Sequence, residues 1–306
     1  MFIKGFSYCM LLALLGVWCA CKKDMPAEPS WDKLANSAAF EIGSVTGVLA
    51  DDKLKELSGL APSHAYPGLF WAHNDKGDQD ADILYLIDSL GQRRAACTLK
   101  NINNRDWEDI AVGPGPIAGK TYVYLADIGD NDQSAVSVYV YRFEEPTYPN
   151  ISNSYTTVQV NTVDQIGVVY PNNTRLDAET LLLDPLTLDL YIVSKGSEAR
   201  VFKVPYPQAN GVLISAQETN NWPLKNVTGG DIARSGTECL IRTNDDVYYW
   251  KKQSGQSTTE MFNTLPEKVS ILTETNGEAI CFNFWLSGFY TCGEQPGQLI
   301  HFYPKK

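Results

Sequence analysis

One short pattern returns five times along this chain: an acidic step followed at once by an apolar run. It reads Lys55-Glu56-Leu57-Ser58-Gly59-Leu60, then Arg105-Asp106-Trp107-Glu108-Asp109-Ile110-Ala111-Val112. It returns as Asp177-Ala178-Glu179-Thr180-Leu181-Leu182, Gly229-Gly230-Asp231-Ile232-Ala233 and Gly277-Glu278-Ala279-Ile280. The carboxylates Glu56, Glu108, Glu179, Asp231 and Glu278 are spaced 52, 71, 52 and 47 residues apart. A period of about 40–50 residues is that of a four-stranded propeller blade. The 71-residue gap is too short for two blades and holds one plus an insertion, assigned to the Asn/Pro/Ser-rich stretch around Tyr148–Arg175. The spacing favours five blades, with six as the alternative.

Composition supports a single all-β domain. The 306 residues could hold one large β domain or two ordinary ones. Short β-rich runs punctuated by Gly, Pro, Asn and Asp dominate, and long helical periods are absent. Each blade is expected to be a four-stranded antiparallel sheet. Fourth strands are expected at Arg93–Lys100, Thr156–Asn161, Gly211–Gln217 and Thr258–Phe262. The last blade has room for only three: Ala279–Phe284, Gly288–Cys292 and Leu299–Tyr303. The unassigned stretch Phe40–Val48 lies upstream of the first blade and is predicted to supply the missing outer strand, closing the ring.

The first residues read as a targeting segment. Lys4 precedes the apolar core Met10–Val17, and Trp18-Cys19-Ala20-Cys21 follows. The arrangement resembles a bacterial lipoprotein signal in which Cys21 is the lipidated first residue. An ordinary cleaved signal peptide is the alternative. The expected organisation is a signal peptide over 1–20, a tether over 21–38 and a propeller over 39–306. That places the chain in the bacterial cell envelope, on the periplasmic or surface side of an outer membrane, held through its lipid alone and expected to be a monomer. A net charge of −11 with no dense Lys/Arg cluster argues against nucleic acid as a partner. Beyond Cys21 the cysteines are Cys97, Cys239, Cys281 and Cys292, without zinc-site spacing. Cys281 and Cys292 could face each other across a hairpin or remain buried thiols.

The repeated steps carry a resemblance when taken with two further motifs. These are His73-Asn74-Asp75 after the second strand of the first blade and Ala126-Asp127-Ile128-Gly129-Asp130-Asn131 after that of the second. Together they resemble SdiA-regulated-type propeller proteins over about residues 40–303. They are also similar to the wider phytase-like and lactonase-like propellers. The resemblance implies a central funnel holding a divalent cation, commonly calcium.

Strand geometry points the same way. The innermost strand of each blade enters the channel from one face, and its antiparallel neighbour ends at that face. Residues opening the first strand and closing the second therefore cluster. The openers Glu56, Glu108, Glu179, Asp231 and Glu278 are candidate metal ligands. The closers include His73, Asp75, Asp127, Lys195 and Arg242 as candidate catalytic groups. Converging carboxylates repel unless a cation or buried protons neutralise them. Oxygen-only ligands favour Ca²⁺, with Mg²⁺ as the alternative. The bland reading is that such carboxylates cap backbone N–H groups of the next blade.

Two functions fit these residues. One is a binding platform that presents its funnel to a small molecule, glycan or protein. The other is a metal-dependent hydrolase of phosphoesters or lactones, with His73, Asp75 or Asp127 as base and Lys195 and Arg242 stabilising anionic charge. Weaker signals are set aside. Asp78-Gln79-Asp80-Ala81-Asp82 lacks the Gly and Glu of a calcium loop, Gly115–Thr121 has the wrong spacing for a P-loop, and no G-x-S-x-G elbow is present.

Overall fold

A computed structural model describes residues 30–50, 53–76, 82–149, 151 and 155–306. Five sheets stand around an axis, each led by one strand of the repeated pattern. These inner strands are Leu57–Pro62, Trp107–Pro114, Ala178–Leu183, Val227–Ile232 and Gly277–Phe282, in blades I to V. Each packs beside the next, and the fifth packs beside the first. The chain is a five-bladed propeller. Its core lies between the blades, where the inner and second strands bury almost every side chain.

Ring closure follows the expectation. Ser44–Val48 pairs antiparallel with Leu299–Pro304 and forms the outer strand of blade V. Phe40 anchors the approach, edge-on to Tyr249 and Phe289. The expected tether of 21–38 is partly packed. Trp31 lies against Trp250, and the backbone of Ala35 and Ser37 pairs with Lys268 of blade IV. Cys21 and the expected signal peptide lie outside the described residues, as does most of the Asp78–Asp82 loop. Among the described residues, no helix is long and apolar enough to cross a membrane.

Three outer strands differ from expectation. Gly211–Gln217 does not close blade III; Gln217–Trp222 does, pairing with Ala199–Val204. Thr156–Val160 does not close blade II; it lies parallel to Arg93–Leu99 as a fifth strand of blade I. Blade II is instead completed by Asp164–Val169, with Leu213–Ser215 parallel beyond it. The insertion thus covers two blade edges that would otherwise be open to pairing. In blade IV, Thr258–Phe262 is an α-helix, and the fourth strand is Glu267–Val269. The physical reason is a capping box. Ser257 accepts from the Glu260 N–H, while the Glu260 carboxylate accepts from the Ser257 N–H. Thr258, Met261 and Phe262 then share one buried face. Cys97, Cys239, Cys281 and Cys292 are all buried and reduced. The register sets Cys292 opposite Ala279 and Cys281 opposite Tyr290, so the last two are not cross-strand partners.

Candidate functional site

The inner strands share an irregularity that defines the site. In every blade the pairing between the first and second strands slips by one residue at the same place. The slips fall between Leu57/Gly59, Trp107/Asp109, Ala178/Thr180, Val227/Gly229 and Gly277/Ala279. A bulge leaves the extra residue unpaired and re-aims its side chain. The extra residues are Ser58, Glu108, Glu179, Thr228 and Glu278. The true ring is therefore three carboxylates and two hydroxyls.

This corrects two expected members. Glu56 stands two residues before the bulge, exposed on the rim, where its carbonyl accepts from the Asp75 N–H. Asp231 stands three residues beyond the bulge, deeper in the channel. Its Oδ2 accepts from the Phe282 N–H of blade V at 2.9 Å. Asp109 of blade II does the same toward blade III, with Oδ2 accepting from the Leu181 N–H at 2.8 Å. Both cap a backbone N–H of the next blade and so hold neighbouring blades in register. The two hydroxyls also bridge blades: Ser58 donates to the Glu108 carbonyl and Thr228 to the Gly277 carbonyl, each at 2.7 Å.

A second ring lies two residues upstream of the bulge: Glu56, Asp106, Asp177, Asn226 and Asn276. Residues two apart on an extended strand point the same way. Asp106-Trp107-Glu108 and Asp177-Ala178-Glu179 thus each deliver a pair of carboxylates to one face. The D-x-E repeat was the signal for Asp106 and Asp177, which the single-carboxylate pattern overlooks. Asp75 arrives from the end of the second strand of blade I. One carboxylate oxygen from each of Asp75, Asp106 and Glu108 lies within 4.8 Å of the others, as does one from each of Glu108, Asp177 and Glu179. Glu108 belongs to both sets. The Gly129 backbone closes over them, and a Cβ there would sit 2.1 Å from Glu108 Oε1.

Charge is poorly balanced at this mouth. Lys76 Nζ is 2.7 Å from Asp106 Oδ2, and Lys195 Nζ is 2.5 Å from Glu179 Oε1. Burial and neighbouring carboxylates push the Glu108 carboxyl well above its ordinary range, with Glu179 the strongest neighbour. Burial pushes Glu278 up to about 8, with Glu179 adding to the rise. Glu179 rises to about 7 from burial despite Lys195, and Asp75 to about 6 from burial. Asp106 is 3% exposed, and its Oδ1 is buried without a hydrogen-bond partner among the described residues. A buried, unpaired carboxylate oxygen among other carboxylates is costly unless something positive meets it.

The remaining expected site residues lie elsewhere or are engaged. His73 is fully buried between blades, edge-on to Trp107. Its Nδ1 donates to the Asn74 carbonyl at 3.0 Å, and burial lowers the ring pKa to about 4. It does not open onto the mouth. Asp127 accepts from the Asp106 N–H at 2.9 Å and from the Tyr141 hydroxyl at 3.0 Å. It therefore positions the Asp106 backbone. Arg242 is fully buried and bonded to Glu274 at 2.9 Å. Glu274 also accepts from His301 Nδ1 at 2.7 Å and from Thr291. That network ties blade IV to blade V, and Gly277 leaves room for it: a Cβ there would lie 1.6 Å from Arg242 Nη2. Of the ten expected metal and catalytic residues, the structure gathers Asp75, Glu108, Glu179, Lys195 and Glu278 at one mouth, with Glu56 exposed on its rim.

No protein-family model matches the chain, and no curated protein matches it. Solved structures resemble it in overall fold. A soluble aldose sugar dehydrogenase from Escherichia coli aligns over 86% of this chain and 99% of its own, at 9% identity and a TM-score of 0.45. A gluconolactonase from Xanthomonas campestris aligns over 92% of this chain and 99% of its own, at 12% identity and a TM-score of 0.44. Likeness at this level carries no statement about reaction or ligand.

Proposed function

We propose that this propeller binds a divalent cation of the calcium class at its acidic mouth and uses the site to hold an oxygen-rich ligand. The observation that carries the proposal is the pair of three-oxygen sets sharing Glu108, with the unpartnered Asp106 Oδ1 buried among them. The donor set is carboxylate oxygen throughout, which suits Ca²⁺ and, less well, Mg²⁺. Asp75, Asp106, Glu108, Asp177 and Glu179 would hold the ion. Bound there, the ion would supply the positive charge and the ligand-polarising field that the mouth lacks. Lys76 and Lys195 keep the rim from being uniformly negative, and Asp127 holds Asp106 in place.

A second reading is a metal-dependent hydrolase of phosphoesters or lactones. One observation favours it: Asp75, half-buried at the edge of the cluster, has its pKa raised to about 6, and with the ion held by Asp106, Glu108, Asp177 and Glu179 alone it is left to accept a proton at neutral pH. His73 is sealed in and Asp127 is saturated, so Asp75 is the base this reading requires. The resemblance to SdiA-regulated-type and phytase-like propellers fits either version. A lipidated Cys21 would place the mouth in the cell envelope, and loss of lipid labelling in Cys21→Ser would check that.

Metal analysis of the purified chain is the direct test of the first reading. Calcium should raise the melting temperature, and Asp106→Asn with Glu108→Gln should abolish the rise. An unchanged melting temperature in calcium and magnesium would overturn the cation site. A panel of p-nitrophenyl phosphate, phytate and lactones, with calcium and with EDTA, separates the readings. Turnover lost in EDTA and in Asp75→Asn supports the hydrolase.

A further inference from the structure

The other end of the channel has its own pocket. It lies where the inner strands finish, walled by Val112, Pro114, Leu183, Pro185 and Ile232, with a volume of about 170 Å³. Three polar side chains reach it: His64 from blade I and Asp231 and Arg234 from blade IV. Phe284 of blade V binds two of them together. The Arg234 guanidinium lies 4.5 Å above its ring, and the His64 ring meets it edge-on at 5.6 Å. Trp285 follows, 59% exposed, and Ile117 and Leu186 from the matching turns of blades II and III are 54% and 64% exposed. The turn joining first and second strands thus carries a large exposed apolar side chain in three blades of five.

Arg234 is the decisive group. Among the described residues it makes no ion pair and donates no hydrogen bond. In a chain of net charge −11, a guanidinium beside a pocket with no carboxylate at ion-pair distance among the described residues is out of the ordinary. Stacking on Phe284 fixes its plane while leaving its N–H edge for a ligand. The other two polar groups do not oppose an anion. Burial and Arg234 hold His64 neutral, its pKa near 4. Burial pushes Asp231 up to about 8, so its free oxygen carries a proton at neutral pH. Apolar walls with a few convergent polar groups are the ordinary make-up of a small-molecule site. A cavity of roughly 150 Å³ accommodates a benzene ring, so the size fits a ligand of one ring or a short branched chain.

We propose that this far pocket is a second binding site, for a small monocarboxylate with an apolar body. The carboxylate pairs with Arg234, and the body lies between Val112, Pro114, Leu183 and Pro185 under the Phe284–Trp285 edge. The site is separate from the acidic mouth and needs no cation.

Calorimetric titration of the full chain with benzoate and cyclohexanecarboxylate tests this, with benzamide and inorganic phosphate as controls. Both carboxylates should bind saturably with one site, while benzamide and phosphate bind at least tenfold more weakly. Arg234→Gln, a surface change, should weaken benzoate at least tenfold. Val112→Phe should fill the pocket and abolish binding at an unaltered melting temperature. EDTA and Glu108→Gln should leave binding unchanged. No saturation by about 10 mM, a weak limit for a ligand of this size, would overturn the proposal. So would equal binding in Arg234→Gln, phosphate binding as tightly as benzoate, or loss of benzoate binding in Glu108→Gln.

Discussion

The two mouths of the channel are built by the same five strands and have opposite chemistry. At the strand starts, a bulge in every blade turns side chains toward the axis, and three of the five are glutamates backed by Asp106 and Asp177. At the strand ends the pairing of first and second strands runs without a bulge, the pocket walls are apolar, and Arg234 makes no ion pair among the described residues. Asp109 and Asp231 each give Oδ2 to a backbone N–H of the next blade, and Asp231 also borders the far pocket. One periodic scaffold thus carries a carboxylate-lined mouth at one end and an apolar pocket bordered by Arg234 at the other. The lesson is positional: a carboxylate's role here depends on its offset from the bulge, not on its place in the repeat.

The largest expected effect tests whether the structural charges near the acidic mouth are distinct from its ligands. Glu274→Ala strands Arg242 in the core and should cost about 3–5 kcal/mol in denaturant unfolding, while any protein that still folds keeps its calcium response. Loss of that response would merge the two networks. Next is the cation. At a hundredfold excess over its dissociation constant, calcium should add about 2.7 kcal/mol to unfolding free energy. Arg234→Gln should leave that gain intact, and calorimetry with and without EDTA measures it.

Protons should act on the same mouth. Asp75, Glu179 and Glu278 have folded pKa values raised above their ordinary ones, so the folded state holds more protons than the unfolded state between about pH 4 and 8. Stability without metal should therefore be greatest on the acid side of that window and fall as pH rises through it, by at least about 2 kcal/mol once the coupling and solvent screening of the three groups are discounted. Glu278→Gln should flatten the fall, and calcium should suppress it. A melting curve that rises from pH 5 to 8 in EDTA would contradict this. Smaller still, Ser58→Ala removes one inter-blade hydrogen bond and should cost about 1 kcal/mol. Trp285→Ala, exposed at the far mouth, should shift unfolding by no more than about 0.5 kcal/mol, so a larger loss would mean the far rim supports the ring.

The architecture was legible because it is periodic. Five acidic steps at blade spacing, and an orphan stretch upstream of a blade lacking one strand, are enough to set the ring and its closure. The insertion was not, because Thr156–Val160 and Asp164–Val169 have similar strand chemistry and only three-dimensional neighbours decide which edge each covers. The β-prone residues of Thr258–Phe262 point to a strand, whereas Ser257 and Glu260 spell a helix start. In the site, Glu108, Glu179 and Glu278 were legible. Glu56 and Asp231 were not separable from them, because a one-residue bulge changes which alternate side chain faces the axis and leaves no mark in composition. Asp106 and Asp177 carried a signal in their D-x-E spacing. Arg242 carried none, since its partner Glu274 lies in an irregular segment.

The seam between Ser44–Val48 and Leu299–Pro304 sets an order on biogenesis. Ser44–Val48 has no partner until Leu299–Pro304 emerges, about 250 residues and on the order of 10–50 s later at ordinary translation rates. Blades I to IV can assemble in that interval, but the circle cannot. Any chain released short of its final strand would carry a loose amino-terminal ribbon and a raw blade edge, the pairing surface that quality-control proteases and neighbouring copies find first.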